Sequence, residues 1–307
     1  MDALSRILDG VEMRGSLYFP AELRSPWGLA VPSDEHVCRF HVAVEGSCHL
    51  TCGGRRVQIA RGDLALVPHG RDHLLQDDPA TPTVDLESAL AEREYDGRGV
   101  FRWGEDGVTC RLVCGHFSFD REAARPLLEA LPGVIHIQAT PTYDFRWIDQ
   151  VMRFIGEEMN SERPGSRVIS RRLSEVLFVQ VIRHYAETAS EPVPVLAGIV
   201  DPRLSRALEA MHRELDRAWT VEALASEAGM SRTAFSVHFK KLIGRTPIEY
   251  LTSQRMIEAG RLLRAGESSG AVADRVGYRS EAAFARRFKQ VHGIGPGGYR
   301  RSRSAVS

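Results

Sequence analysis

The sequence predicts an α+β chain, in which an N-terminal β-barrel or jelly-roll domain precedes an all-α C-terminal domain with two helix-turn-helix units. Three observations predict this architecture. Residues 31–75 contain short apolar stretches separated by turn signals, as in a sandwich or barrel. Residues after 145 show helical periodicity instead. The segment 231–250 recurs, with the same pattern, as segment 280–299.

Length and composition place the chain among globular proteins. Its 307 residues are 43% hydrophobic and 26% charged, with a mean hydropathy of -0.23, and they suffice for two domains with separate cores. This excludes a fibrous, collagenous or largely disordered protein. No apolar run approaches the roughly 18 residues of a membrane helix, and residues 1–10 do not resemble a signal peptide. We therefore expect a cytoplasmic protein without membrane contact.

Charge divides the chain into two parts, although its 40 basic and 40 acidic residues balance. Residues 201–307 contain 19 Lys and Arg against 11 Asp and Glu, a net charge of +8, so the first 200 residues carry −8. All three lysines, Lys240, Lys241 and Lys289, lie in the basic part. This asymmetry indicates a nucleic-acid-binding module joined to a part that is not one; the alternative is a basic solvated face.

The strongest internal signal is a repeat at a constant offset of 49 residues. Each copy begins with a serine that can cap a helix, continues with two phenylalanines four residues apart, and then has a glycine suited to ending the helix. Ser231, Ala234, Phe235, Phe239, Lys240, Gly244, Pro247 and Tyr250 recur as Ser280, Ala283, Phe284, Phe288, Lys289, Gly293, Pro296 and Tyr299. We expect the phenylalanines to form the core and the polar faces to bind.

A second short helix is predicted before each copy, at Val221–Ala228 and at Ala271–Val276, and each is followed by a glycine. Helix, glycine-containing turn and helix is the layout of a helix-turn-helix unit, whose second helix enters the major groove of DNA. Residues 248–263 between the units form a long predicted helix that can hold them at a fixed separation. Its apolar stripe comprises Leu251, Met256, Ala259, Leu262 and Leu263.

The elements upstream are less sharply marked. Residues 86–107 are polar and glycine-rich, and we expect an irregular loop there, with strand character returning at Val108–Phe119. Helices are predicted at Phe145–Met159 and at Ser166–Tyr185, which includes Val181, from apolar residues spaced by three and four. Glu191–Asp201 contains prolines and is predicted as a linker.

The C-terminal repeat resembles the DNA-binding domain of the AraC family of bacterial transcription regulators, over about residues 201–301. The specific stretches are GYRS at residues 277–280, FARRFK at residues 284–289, and Pro296 with Tyr299 and Arg300. Gly297 and Gly298 depart from the family, which usually has helix formers there.

This resemblance implies which residues read DNA. The exposed faces of the two recognition helices would place Arg232, Thr233, Ser236 and Val237, and Glu281, Ala282, Ala285 and Arg286, towards the bases. Arg286 is the best candidate for a bidentate contact with guanine, because its guanidinium matches the O6 and N7 acceptors. Phosphates would be held by Lys240, Lys241, Arg287 and Lys289. For each basic residue, a solvated charge is the alternative.

The first half resembles the cupin domain that some AraC-like regulators carry at the N-terminus. Residues 62–73, from Gly62 to His73, fit the second cupin motif, whose final histidine is a ligand in metal-binding cupins; here it is His73. Arg39 stands where the first motif normally has a glutamate, so the metal triad is incomplete. Three alternatives remain open: a divalent metal at His73, a metal-free effector pocket near His73 and His41, and a merely structural barrel. For His41 itself, the alternative to a binding role is core packing.

Cysteine chemistry offers a competing kind of signal. The five cysteines include no C-x-x-C pair, which excludes a zinc ribbon and a disulfide scaffold. A redox switch needs an accessible thiol of low pKa with a resolving partner. Cys48, Cys52, Cys110 and Cys114 could supply such pairs across strands, and buried, inert thiols are the alternative.

Together these features identify a one-component transcription regulator that responds to a small molecule or a redox signal, and not an enzyme. The expected domains are a cupin-like sensory domain (1–140), a helical dimerisation segment (141–190), a linker (191–202) and an AraC-type DNA-binding domain (203–301). The expected partners are double-stranded promoter DNA, a small-molecule effector, a second copy of the chain, and RNA polymerase if the protein is an activator. The alternative is a metal-dependent, dioxygenase-like cupin enzyme with accessory DNA binding.

Overall fold

The structure is a computed structural model of the 307-residue chain. It describes residues 4–5, 13–97, 99–119, 124, 127–139, 150–151, 154–155, 157–158, 163–188 and 196–302. Residues 12–188 form one compact unit, and residues 189–307 with residues 1–11 form a second. The first is rich in strands and the second is helical, which confirms the predicted fold class. Among the helices described, none is both long and apolar enough to span a bilayer.

Two sheets make up the β-rich unit. The first has the strand order β11-β6-β3-β10-β1-β9 and the second has β5-β4-β7-β2-β8. In chain order, the strands are β1 (Arg14–Arg24), β2 (Gly28–Val31), β3 (Val37–Glu45), β4 (Ser47–Cys52), β5 (Arg55–Ala60), β6 (Leu64–Val67), β7 (His73–Gln76), β8 (Val84–Asp85), β9 (Phe101–Gly104), β10 (Thr109–Ser118) and β11 (Ile135–Ile137). Pairing is antiparallel except where β9 meets β1 and β8 meets β2.

Strand alternation separates the two faces of the first sheet. Arg39 and His41 of β3 lie opposite His116 and Cys114 of β10, and this face points into the barrel. On the outer face, Phe117 stacks on Phe40 with ring centroids 5.0 Å apart and contacts Phe178 at 4.9 Å. Helix Ser166–Thr188, which contains Phe178, therefore covers the outside of this sheet.

Parts of the β-rich unit differ from the sequence prediction. Residues 86–107 are not an irregular loop, since they contain helix α1 (Leu86–Glu92) and strand β9. The Asp85 carboxylate caps α1 by accepting from the Ser88 N–H at 3.0 Å, and Phe101 is fully buried. Strand β1 was not predicted at all.

The predicted helix at Ser166–Tyr185 is confirmed and extends as α2 (Ser166–Thr188). Most of the predicted helix at Phe145–Met159 lies outside the described residues. Helix α3 (Leu196–Val200) falls within the stretch predicted as a linker. A Cβ on Gly198 would lie 2.2 Å from Ile243 Cδ1, so this segment packs closely on the helical unit and does not run free.

The helical unit continues with seven helices over residues 204–302. They are α4 (Leu204–Arg213), α5 (Val221–Glu227), α6 (Arg232–Ile243), α7 (Pro247–Arg264), α8 (Ser269–Arg275), α9 (Glu281–His292) and α10 (Pro296–Ser302). Gly297 and Gly298 do not prevent α10 from forming.

Helix α7 connects two separate apolar cores. Its first turns contribute Tyr250 and Leu251 to a core with Phe235 and Phe239, and its later turns contribute residues such as Met256 to a core with Phe284 and Phe288. The predicted stripe of α7 is buried along its whole length. One continuous helix therefore fixes the separation of the two helix-turn-helix units.

Candidate functional site

The repeat seen in the sequence is also a structural repeat. Ser231 and Ser280 each accept a hydrogen bond from a first-turn N–H, at 3.3 and 3.4 Å. Gly244 and Gly293 end α6 and α9 with the same left-handed φ of 77°. The Phe235–Phe239 rings lie 5.4 Å apart and the Phe284–Phe288 rings 5.6 Å apart. The two recognition helices are thus built and anchored in the same way.

The turn before each recognition helix contains a glycine in the left-handed region. Gly229 has φ +64° and Gly277 has φ +77°. A Cβ on Gly277 would lie 2.4 Å from the carbonyl oxygen of Asp216, so no other residue fits there without moving the backbone. Both turns hold the second helix of a unit at a defined angle to the first.

Helix α6 presents its predicted DNA-binding residues to solvent. Arg232, Thr233, Val237, Lys240 and Lys241 are exposed, and Ser236 is half-buried. Arg232 Nε lies 2.8 Å from Oε1 of Glu222, on the preceding helix α5. The Ser236 hydroxyl donates to the backbone carbonyl of Arg232 at 2.9 Å.

Helix α9 presents an equivalent face. Glu281, Ala282, Arg286 and Lys289 are exposed, and Ala285 and Arg287 are half-buried. Arg287 Nη1 donates to Gln290 Oε1 at 2.7 Å. Within the described part of the chain, Arg286 and Lys289 have no ion pair or hydrogen bond through their side chains. The exposed Arg279, just before the cap of α9, was not among the predicted residues, although it belongs to the GYRS stretch.

In the β-rich unit, the structure brings His41 and His73 together across the barrel. Their Nε2 atoms lie 2.8 Å apart, and both side chains are buried. His73 Nδ1 lies 2.8 Å from the carbonyl oxygen of Arg71, and His41 Nδ1 lies 3.1 Å from Cys114 Sγ.

These contacts determine the positions of the protons. A carbonyl only accepts, so His73 Nδ1 donates to Arg71, and the neutral ring then accepts at Nε2. His41 therefore donates from Nε2 and accepts at Nδ1 from the Cys114 thiol. The result is a directed chain of hydrogen bonds from Cys114 through both histidines to the backbone.

Burial keeps these three hydrogen-bonded side chains neutral. Desolvation, with a smaller contribution from the positive charge of Arg39, lowers the pKa of His73 to about 4. Desolvation first, and then His73 and Arg39, hold the pKa of His41 well below its usual value. Desolvation raises the pKa of the Cys114 thiol to about 12.

The same geometry does not supply three convergent ligands for a divalent metal. His41 directs Nε2 towards His73 and Nδ1 towards Cys114, so Cys114 lies on the other side of this ring from His73, and the three side chains do not surround one point. Among the described residues, no three side chains of the metal-binding types are grouped to hold an ion. The predicted metal at His73 therefore gains no support.

The four cysteines considered for redox chemistry are buried and free. A hydrogen bond with Cys110, together with burial, holds the pKa of Cys48 well above its usual value. Burial also raises the pKa of Cys52. All four thiols lack the accessibility of a fast oxidant sensor, and the raised pKa of Cys48, Cys52 and Cys114 disfavours their reactive thiolate forms.

Comparison with known proteins gives matches to both units. A cupin family model matches residues 2–187, and a helix-turn-helix domain model matches residues 224–302. A putative AraC-like transcription regulator of Streptomyces lividans is 33% identical over 98% of each chain. The HTH-type transcriptional regulator AlkR of Acinetobacter baylyi is 30% identical, over 98% of this chain and 99% of its own. The solved DNA-binding domain of AdpA in complex with a target DNA is 35% identical, over 34% of this chain and 95% of that chain, with a TM-score of 0.33.

Proposed function

The chain belongs to the AraC-like transcription regulators with an N-terminal cupin domain, and we propose that both of its helix-turn-helix units bind one promoter site under the control of a signal received by the β-rich unit. Helices α6 and α9 enter consecutive major-groove segments. The observation that carries this proposal is that two identically capped helices, held by α7, present exposed basic side chains.

Base and phosphate contacts are divided by position on these helices. Arg286 reads a guanine, because it is exposed and has no partner within the described part of the chain. The other base-facing positions are Arg232, Thr233, Ser236, Val237, Glu281, Ala282 and Ala285. Lys240, Lys241, Arg287 and Lys289 hold phosphates and so set the register without reading sequence.

Arg232 differs from Arg286 because it is paired with Glu222. Both side chains of this pair are well exposed, and exposed pairs stabilise a protein by only about 0–1 kcal/mol. Arg232 can therefore exchange Glu222 for DNA at little cost. Until it does, Glu222 keeps the guanidinium close to the surface of α5.

A second copy of the chain binds α2. Its buried face, with Leu177, Phe178, Val181 and Ile182, packs within the β-rich unit. Val168, Ile169 and Val176 are exposed on the same helix, and Leu173 is half-buried. Ile169, Leu173 and Val176 are spaced by four and three, which is the spacing of a helix–helix seam. Val181 lies within the predicted dimerisation segment 141–190, but it is part of the core and not of this surface.

The β-rich unit senses a small molecule in preference to an oxidant, because its five thiols are buried and the pKa values of Cys48 and Cys114 are raised. No catalytic step is assigned to it, since His41, His73 and Cys114 do not surround one point as the metal ligands of a cupin enzyme would. As a regulator of promoters, the protein acts in the cytoplasm, where it contacts RNA polymerase if it activates.

The proposal is tested by selecting binding sites from random duplex DNA with the full-length protein. We expect a selected motif with two information-rich segments about one helical turn apart. Enrichment of a single segment would mean that only one unit reads DNA. Binding without any sequence preference would contradict the proposal.

A further inference from the structure

The guanidinium of Arg39 is buried in the β-rich unit, and none of the described residues supplies a counter-charge to it. The residue is 6% exposed, and its Nη1 donates a hydrogen bond to the backbone carbonyl of Pro32. Its Nε–H is buried and has no acceptor among the residues that the structure describes. No carboxylate of those residues forms an ion pair with it.

The position of Arg39 in β3 directs it to the interior. Its Cα lies opposite His116 of β10 and Val67 of β6. His41, two residues further along β3, lies on the same face and contacts His73 of the other sheet. The charge of Arg39 contributes, after desolvation, to the lowered pKa of His41, His73 and His116. Arg39 is therefore surrounded by rings that are neutral at physiological pH.

The acidic groups of this region lie at its rim. Asp34 is half-buried and accepts from the backbone N–H of His36 at 3.0 Å, and Asp72 is exposed. A buried charge is strongly disfavoured unless it is paired and its donors are satisfied. The Pro32 carbonyl satisfies one donor of Arg39 but supplies no negative charge. A group with both an acceptor oxygen and a negative charge would satisfy the Nε–H and balance the charge of Arg39.

We propose that Arg39 binds the carboxylate of a small organic anion inside the β-rich unit, and that this anion is the effector. That the anion is the effector rests on the proposed sensory role of the β-rich unit. Binding of the anion at Arg39 does not depend on that role. A carboxylate accepts from a guanidinium through two parallel hydrogen bonds.

Charge balance favours a monoanion. Arg39 is the only lysine or arginine among the described residues that are buried, so a doubly charged phosphate would remain uncompensated there. Apolar side chains, including Val67 opposite Arg39 and Val31 opposite His73, line the strands nearby. A carboxylate with a short apolar body matches this combination.

The probes are sodium acetate, hexanoate and benzoate, with acetamide, hexanamide and benzamide as neutral controls of matched shape. The Tm of the full-length protein is measured against the concentration of each at constant ionic strength. We expect at least one carboxylate to raise the Tm saturably and its amide to have no effect, because a ligand stabilises the state that binds it. Absence of a rise with all three carboxylates, or equal rises with the amides, would overturn the proposal.

Variants assign the effect to Arg39. Arg39→Gln should abolish the carboxylate-dependent rise in Tm. Arg39→Lys should weaken the apparent affinity for the carboxylate at least tenfold, because the ammonium keeps the charge but lacks the two parallel N–H donors of the guanidinium. Arg111→Gln is the matched control, since Arg111 is an exposed arginine of β10 paired with Glu22 and Glu45. It should respond as the wild type does. An unchanged response of a folded Arg39→Gln protein would overturn the assignment.

A second measurement covers the case in which Arg39→Gln does not fold. In wild-type protein with ¹⁵Nε-labelled arginine, the carboxylate should shift one buried Nε–H resonance, the one that is lost in Arg39→Lys. A carboxylate that raises the Tm without shifting that resonance would place binding elsewhere. Operator binding is measured in parallel: its absence would contradict the proposed function, whereas its presence without any carboxylate response would contradict only this inference.

Discussion

His41 Nε2 lies 2.8 Å from His73 Nε2, so a hydrogen bond between two neutral imidazoles joins the opposite sheets of the β-rich unit. Strand β3 belongs to the first sheet and β7 to the second, and no backbone hydrogen bond connects these strands. Because His73 accepts this hydrogen bond at Nε2, protonation of His73 there breaks it. The barrel interior is therefore sensitive to acid.

Stability of the β-rich unit should fall as the pH decreases from 6.5 to about 4. The pKa of His73 is about 4 in the folded protein and 6.5 ordinarily, so the unfolded state binds the proton first and this stability is lost through that window. The loss is about 3 kcal/mol for His73. Urea unfolding curves at pH 7 and pH 4.5 measure this loss of stability.

His73→Gln should flatten the pH dependence of stability, whereas His36→Gln, at an exposed site, should leave it unchanged. Parallel stability profiles for wild type and His73→Gln would show that His73 does not cause the loss in acid.

Arg286→Ala should weaken specific DNA binding by about 1–3 kcal/mol and relax the base preference at one operator position, because it removes a bidentate contact. Fluorescence anisotropy with the selected operator and its single-base variants measures both effects. Arg213→Ala, at an exposed arginine of α4 paired with Glu214, is the control. If Arg286→Ala keeps full discrimination at every position, Arg286 does not read a base.

Lys240→Ala should lower the affinity for all DNA sequences alike. As a phosphate contact, Lys240 releases counterions on binding, so its removal should reduce the slope of log K against log salt by about one unit. Lys289→Ala, at the equivalent repeat position, should behave in the same way. A selective loss for the operator, with an unchanged salt slope, would assign Lys240 to base reading instead.

Val176→Glu and Val181→Glu should separate the dimer surface from the core of α2. Val176 is 48% exposed and Val181 is 1% exposed. We expect Val176→Glu to weaken self-association without lowering the Tm appreciably, and Val181→Glu to destabilise the fold by several kcal/mol, on the order of 3–5, because it buries an unpaired charge. Sedimentation at micromolar concentrations and thermal unfolding make the comparison. A monomeric wild type would disprove the dimer.

The cysteine thiols should react slowly in the native protein. All five are buried, and burial raises the pKa of Cys38, Cys52 and Cys114. Ellman's reagent at pH 7.5 should therefore label them quickly only after denaturation. Rapid labelling of Cys48 or Cys110 in the folded protein would restore the redox hypothesis.

The helical unit could be predicted closely because its signals are local. A capping serine, phenylalanines at positions i and i+4 and a terminal glycine each specify one turn of a helix, and their repetition after 49 residues predicted both units. The Arg232–Glu222 pair could not be predicted, since it joins helices whose relative angle depends on packing around Phe235 and Phe239.

The β-rich unit was less predictable because its contacts are not local. Alternation along β3 predicts that His41 lies on the opposite face of the sheet from the residues next to it in sequence. It does not indicate which residue of the other sheet His41 contacts. Nor could alternation show that Arg39 is buried with no carboxylate partner in the described part of the chain. Helix α1 was missed because the Asp85 cap and one buried alanine, Ala89, are weak signals in a polar segment.

Hydroxyl-radical footprinting of the full-length protein on the selected operator shows whether both helix-turn-helix units contact one promoter site. We expect two protected backbone segments separated by about one helical turn, with Arg286→Ala weakening protection in one segment and Arg232→Ala in the other. A single protected segment that weakens equally in both variants would contradict the proposal.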